Sequence, residues 1–374
     1  MYKEVEELAS PCYSRKESQN YEGTRWASNP GSVFLGESKV KIQVPRVRSK
    51  NTEQEMPLRS YHALQSPSAI EEYLLGKLLG GLSCRRYAEC AEMLPEVFGM
   101  SASTLSRRFV EVSKDKLKAF QVPNLRDDEE DFVALFIDGK SFASQNVIIA
   151  PGITMEGRKV PLGFRQGTTE HHQVCTHLLN DLLDRGLSID HGLLVVIDGS
   201  RGLYKAVTAI IGKKGLIQRC QWHKRENVLA YLSKEQQSYY RKRLQEAYPQ
   251  DAAHSCSDYH EAKEKLLEIR QELEPINLSA VRSLDEGLEE TLTLQRLGLF
   301  EELGSSFKTT NCIESLNSQI GRLTGRITYW KNSAQIHPWL GCCLLDIELR
   351  MKRVKGYAHL WKLRKALQKE LNLE

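Results

Sequence analysis

GLLVVIDGSRGLYKAVTAIIGKKGLIQRCQWHKREN, residues 192–227, is the stretch on which the reading of the fold turns. Leu193 to Ile197 is an apolar run of strand length, rich in β-branched residues, and an acid, Asp198, stands where it stops. Gly199 and Ser200 break the strand, and Leu203, Ala206, Val207 and Ile210 then recur at helical spacing. A second apolar run, Gly215 to Ile217, leads to Cys220, Trp222 and His223. A strand apolar on both faces is normally buried between covering helices, which points to an α/β fold. In an open α/β sheet, chemistry gathers at the carboxyl ends of the strands, where Asp198 falls. The plainer alternative is that Asp198 only caps the following helix.

Upstream, Phe132 to Ile137 repeats the pattern and ends on Asp138, again followed by glycine. Asn146 to Ala150 and Lys159 to Phe164 read as two further strands, with turns at Pro151–Gly152 and Glu156–Gly157. A three-stranded meander therefore leads through a helix, anchored by Val174, Leu178, Leu179, Leu182 and Leu183, to the Asp198 strand. Two carboxylates brought together at buried strand ends would force one to stay protonated unless a cation lies between them. A third acid lies in KTTNCIESLNSQIGRLTGR, where Ile313, Leu316, Ile320 and Leu323 mark one face of a helix. Glu314 projects off that face among Thr310, Asn317, Ser318 and Gly321, neighbours small enough to leave a carboxylate uncrowded. An ordinary surface glutamate is the alternative. Arg322, in the same helix, is a candidate phosphate contact.

With 374 residues, 41% of them apolar, the chain is long enough for two or three domains with sizeable cores. It has no apolar run of about 18 residues, so no membrane span is expected. The N-terminal residues lack a signal-peptide core, and nine cysteines without a regular framework suit a reducing cytoplasm. A net charge of +4 permits nucleic-acid binding without arguing for it. Dinucleotide and P-loop glycine motifs, the G-x-S-x-G elbow and H-E-x-x-H are absent.

Residues 1–30 are polar and read as poorly ordered; residues 31–62 read as a short β-hairpin and linker carrying the basic residues Arg46, Arg48 and Lys50. Residues 63–123 read as a helix-turn-helix-like DNA-binding domain. Its third, serine-capped helix presents Thr104, Arg107, Arg108 and Lys114, and a plain three-helix bundle is the alternative. The α/β core spans residues 130–223, a helical insertion 224–305, and the closing helix with Glu314 belongs to 306–349. Residues 350–374 read as a basic C-terminal helix, either a solvated tail or a phosphate contact.

Cys220 and His223 make half of a zinc spacing that His254, Cys256 and His260 complete only irregularly. No structural zinc is expected. The pair instead supports the acids, with His223 reaching a carboxylate or a phosphate. The remaining cysteines read as core residues.

FIDGK around Asp138, VVIDGSRGLYKAV around Asp198, RCQWHKREN around Cys220 and His223, and TTNCIESLN around Glu314 occur in that order. With these four stretches the chain resembles the Mutator-type transposases of bacterial insertion sequences, across about residues 31–350. The resemblance implies a ribonuclease-H-like core, a mixed sheet with flanking helices, interrupted by an all-helical insertion and preceded by a small helical DNA-binding domain. It implies that Asp138, Asp198 and Glu314 are the catalytic metal ligands, with Cys220, His223 and Asn317 in support. Two Mg²⁺ ions, about 4 Å apart and replaceable by Mn²⁺, would then activate the attacking oxygen and stabilise the leaving one. The implied substrates are double-stranded transposon ends, with terminal inverted repeats, and target DNA. Arg107, Arg108, Lys114, Arg322, Arg46 and Arg48 would hold them, and the protein would act as a homo-oligomer on DNA in a bacterial cytoplasm. The competing readings are a ribonuclease-H-like nuclease without strand transfer and a DNA-binding protein that kept the fold but lost catalysis.

Overall fold

The computed structural model describes residues 1–9, 21–35, 38–63, 125, 131–142, 145–167, 172–249, 258–325 and 333–373. The chain divides into two compact units, one of residues 1–114 with 323–328, the other of 115–322 with 329–374.

The described part of the first unit begins with α1 (Tyr2–Leu8). It is followed by strands β1 (Gly23–Leu35), β2 (Ser38–Ser49) and β3 (Glu55–Met56) and by α2 (Arg59–Ala63). The strands form an antiparallel sheet in the order β1-β2-β3 around Val5, Ala9, Val47 and Leu58. For the described residues 1–9 and 21–30, this differs from the expectation that residues 1–30 are poorly ordered. Residues 24–30 are almost all polar or exposed, so their sequence carries no burial pattern, yet backbone pairing with β2 holds them as a strand. Glu4 completes the small core by accepting the α2 backbone N–H groups of Arg59, at 2.6 Å, and Ser60, at 3.0 Å. The helix-turn-helix region, with Arg107, Arg108 and Lys114, lies outside the described residues.

In the second unit, β4 (Phe132–Phe142), β5 (Gln145–Thr154) and β6 (Lys159–Gly167) form the antiparallel meander. Helix α3 (His172–Asp184) crosses to β7 (Leu193–Ile197), and α4 (Arg201–Ile210) crosses to β8 (Gly215–Arg219). β7 lies parallel to β4, and β8 parallel to β7, so the mixed five-stranded sheet has the order β6-β5-β4-β7-β8. Pro151–Gly152 is not a turn as expected. It sits inside β5 at a register shift, where a residue without an N–H is tolerated. Gly152 is needed there because a Cβ would come within 2.7 Å of both Phe132 and Leu162. The turn is at Gly157, whose φ is +80°.

The helical segment opens with α5 (Gln221–Leu229), α6 (Lys234–Ala247), α7 (Tyr259–Leu273) and α8 (Leu278–Asp285). These pack together through Leu229, Leu232, Leu244, Leu266, Ile269 and Leu273. Short helices α9 (Leu288–Thr291) and α10 (Thr293–Arg296) return the chain to α11 (Phe300–Phe307). Then come α12 (Asn311–Thr324), α13 (Ser333–Glu348) and α14 (Leu360–Leu371).

Alternation along the strands divides the core in two. Leu135, Ile137, Leu193, Val195 and Ile197 face α3 and α4. Ala134, Phe136, Leu194 and Val196 face α11, α12 and α14, with Phe136 stacked on Phe307 at 5.6 Å. Leu294, Leu299, Phe300 and Leu303, read from sequence as part of the insertion, pack on the sheet instead. The final basic helix is also not a solvated tail. Leu360, Leu363 and Leu367 are fully buried against the sheet, and Arg364 bonds the backbone of Phe132 and Gly192 at the amino ends of β4 and β7.

Candidate active site

Ile137 and Ile197 are the last register partners of the parallel β4–β7 pair. Asp138 and Asp198 follow them directly. By strand alternation both continue the rows Ala134–Phe136 and Leu194–Val196, the face covered by α12. β4 runs on to Phe142 alongside β5 alone, so Asp138 does not end its strand, as the sequence suggested, but marks where β4 loses its β7 neighbour. Asp138 is buried and accepts the N–H of Gly139 at 2.9 Å. Asp198 is half-buried and accepts the N–H of Ser200 at 2.8 Å, across Gly199, whose φ is +130°. The cap of α4 is Ser200 itself, whose hydroxyl accepts the N–H of Leu203 at 3.5 Å. Asp198 is therefore free of the capping duty that was its alternative reading.

Cys220 follows β8 and hands its backbone N–H to Ile197 at 2.8 Å, which seats it beside the Asp198 turn. Its fully buried thiol caps α5, accepting the N–H of His223 at 3.5 Å. His223 thus lies in the first turn of a helix rather than on a strand. Burial opposes its charging. The Cys220 sulfur, then the charges of Asp198 and Asp138, outweigh that and raise its pKa from 6.5 to about 9.

Glu314 stands in the first turn of α12, its side chain exposed while Ile313 and Leu316 bury the opposite face. One buried hydroxyl joins it to the sheet. Thr310 Oγ1 lies 3.4 Å from Glu314 Oε1, 3.3 Å from His223 Nδ1 and 3.6 Å from Cys220 Sγ. Lys140 Nζ, just past Asp138, donates to the carbonyl of Asn317 at 3.1 Å, a second tie from β4 to α12. The Asn317 side chain is 7% exposed, and its Oδ1 has no partner among the described residues. The fold therefore brings Asp138, Asp198, Cys220, His223, Glu314 and Asn317 to one end of the sheet.

Three further expected residues are among those described. Arg322 is exposed in the last turn of α12. In the first unit, Arg46 makes a two-pronged bond to Glu55, while Arg48 bonds the carbonyl of Glu53 and lies 4.7 Å over the Trp26 ring. Sequence reasoning named Thr310 only as a small neighbour of Glu314, and gave no role to Lys140 and Arg219. The first two were legible only as the residues four before Glu314 and two after Asp138. Arg219 Nη2 donates to the carbonyl of Gly199 at 2.9 Å.

Among the described residues, no three His, Cys, Asp or Glu side chains close on one point tightly enough to hold a metal ion as they stand. The donor chemistry nevertheless suits a hard divalent cation: two carboxylates where the parallel pairing of β4 and β7 stops and a third on the helix covering them. Glu314 is exposed, and among the described residues its carboxylate has one long contact, to Thr310, so a rotamer change suffices to re-aim it.

A family model described as "Transposase, Mutator family" matches residues 3–353. The chain is 24% identical over 353 residues to the transposase for insertion sequence element IS256 in transposon Tn4001 of Staphylococcus aureus, covering 92% of this chain and 85% of that protein. It is 25% identical to the transposase for insertion sequence element IS905 of Lactococcus lactis subsp. lactis, over 84% and 77% of the two chains. Against the transposase for insertion sequence element ISRM5 of Rhizobium meliloti the identity is 28%, over 79% and 71%.

Proposed function

Because the chain belongs to the Mutator family of transposases, we propose that it cuts DNA at transposon ends and joins the freed 3′-hydroxyls to target DNA, with Asp138, Asp198 and Glu314 as the catalytic carboxylates. The observation that carries this reading is the register of β4 and β7, which sets Asp138 and Asp198 side by side on the face covered by the Glu314 helix. The mixed sheet, with an antiparallel pair on one side of β4 and a parallel pair on the other, supports a ribonuclease-H-like core.

The three carboxylates would hold two Mg²⁺, or Mn²⁺ in their place. When bound, such ions activate the attacking oxygen and stabilise the leaving oxygen of a phosphodiester. Asp138 and Asp198 are oriented by their own backbone turns, through Gly139 and Ser200. His223 and Thr310 hold Glu314 in register with the sheet. In the metal-free protein the raised pKa of His223 keeps a positive charge beside the carboxylates. Water as nucleophile nicks DNA and a 3′-hydroxyl joins strands, so one site serves both steps.

Arg322 and the basic residues Arg107, Arg108 and Lys114 are proposed to contact the phosphates of the inverted repeats, on a homo-oligomer that brings two ends together. No helix among the described residues is long and apolar enough to cross a membrane. The test is a labelled end duplex incubated with supercoiled target and Mg²⁺. Joined product is expected; nicks without joined product would reduce the activity to that of a nuclease.

A further inference from the structure

Arg219 is 3% exposed, on the last residue of β8, and the reading of the three acids leaves it without a role. It is the register partner of Ile197, the residue before Asp198. Its Nη2 takes the carbonyl of Gly199 at 2.9 Å, and its Nη1 takes the carbonyl of Glu286 at 2.8 Å. One guanidinium therefore ties the turn that carries Asp198 to the corner between α8 and α9. That corner is built around the tie. Gly287 has a φ of +67°, and a Cβ there would lie 2.2 Å from Arg219 Nη1. Lys224 Nζ reaches the same Glu286 carbonyl and also the carbonyl of Ser283, at 2.6 Å. Arg201, one residue after the Asp198–Ser200 turn, pairs with the Glu286 carboxylate at 3.0 Å.

The Asp198 turn needs such support. Gly199 has a φ of +130°, and among the described residues nothing lies within 4 Å of the place where a Cβ would stand, so their side-chain packing does not hold it. Its carbonyl is fixed by Arg219, and Arg219 is fixed from the helical segment.

We propose that Arg219 is a positioning residue that aims the Asp198 carboxylate at its divalent cation, and that the Glu286–Gly287 corner of the helical segment completes the cation site by holding Arg219 in place. This rests on the reading of Asp198 as a metal ligand. Groups that orient a ligand without touching the ion typically alter affinity or activity by about 10- to 100-fold.

The test uses the full chain with Mn²⁺ as probe, its affinity read by electron paramagnetic resonance in the absence of DNA. Arg219→Lys keeps the charge but cannot bridge both carbonyls in the same fork. Gly287→Ala leaves Arg219 in the sequence and crowds its Cδ, Cζ and Nη1 from the helical side, with added backbone strain at a φ of +67°. Both variants are expected to bind Mn²⁺ about 10- to 100-fold more weakly, to bind an end duplex as the unaltered chain does, and to regain cleavage at saturating Mn²⁺. If Arg219→Lys does not fold, Gly287→Ala decides. Unaltered chain that binds Mn²⁺ and folded variants that bind it equally well would overturn the role of Arg219 alone. Unaltered chain that binds no Mn²⁺ would overturn the metal reading of Asp198 and this inference with it.

Discussion

Thr310 and His223 are joined across 87 residues of sequence by a 3.3 Å contact between a buried hydroxyl and a ring nitrogen. That contact links the end of the parallel sheet to the helix carrying Glu314. Thr310 has one proton to donate, and with His223 as donor to Thr310 that proton is shared between Glu314 Oε1 and Cys220 Sγ. Thr310→Val, which keeps the shape and removes the hydroxyl, is expected to slow single-turnover cleavage by about 10- to 100-fold, and Thr310→Ser to restore most of it. Equal rates for Val and the unaltered chain would remove the hydroxyl from the account.

His223 carries a pH prediction for the metal-free protein. Its folded pKa, about 9, lies above the ordinary value of 6.5. Its contribution to stability is therefore full below about pH 6.5 and is lost as pH rises through about 9. Asp198→Asn removes one of the charges that raise the value, so an NMR titration of that variant is expected to show a lower His223 pKa. An unmoved titration would place Asp198 electrically apart from the ring. His223→Ala is expected to stay folded and bind metal, but to react slowly.

The strands that build this site are plain in the sequence because burial on both faces left apolar runs at 132–137 and 193–197, each closed by Asp-Gly. Glu314 was legible through the helical spacing of Ile313, Leu316 and Ile320, all buried as that spacing requires. The N-terminal sheet was legible only in part: its hairpin was read from residue 31 on, and the first half of its first strand was not. Its first strand is held by backbone bonds to β2, and its exposed polar residues show no period of two. Pro151–Gly152 has the composition of a turn but serves a bulge. Arg219, Thr310 and Arg364 act through backbone carbonyls or neighbours distant in sequence, and such pairings have no local signature. Arg364 in particular stands in a run of basic residues that, by composition alone, suits phosphate contact equally well.

Arg364 separates those two roles. Its Nη1 donates to the Gly192 carbonyl at 2.6 Å, and its Nη2 to the Phe132 carbonyl at 3.0 Å and to Asp131. Arg364→Met leaves buried acceptors unpaired and is expected to destabilise the chain by about 2–4 kcal/mol. The salt dependence of DNA binding is expected not to change. A flatter salt slope with an unaltered melting temperature would assign Arg364 to phosphate instead.

Salt dependence also tests the N-terminal contacts. Replacing Arg107 and Arg108 together is expected to weaken binding to an end duplex and to reduce the slope of log affinity against log salt by about 2, one phosphate for each residue. Arg46 is paired with Glu55 and Arg48 with Glu53, so replacing those two is expected to change the slope less. Equal slopes for the unaltered chain and the Arg107/Arg108 variant would move the phosphate contacts elsewhere, with exposed Arg322 the first alternative.

The central claim is that Asp138, Asp198 and Glu314 form one catalytic unit. The measurement that tests it most directly is Mg²⁺-dependent cleavage of a labelled end duplex by Asp138→Ala, Asp198→Ala and Glu314→Ala, each scored beside its DNA binding. Residues that act as a unit show nearly total losses when removed singly. All three variants are expected to bind the duplex as the unaltered chain does and to leave it uncut. Near-normal cleavage by any one of them would contradict the account and remove that residue from the site.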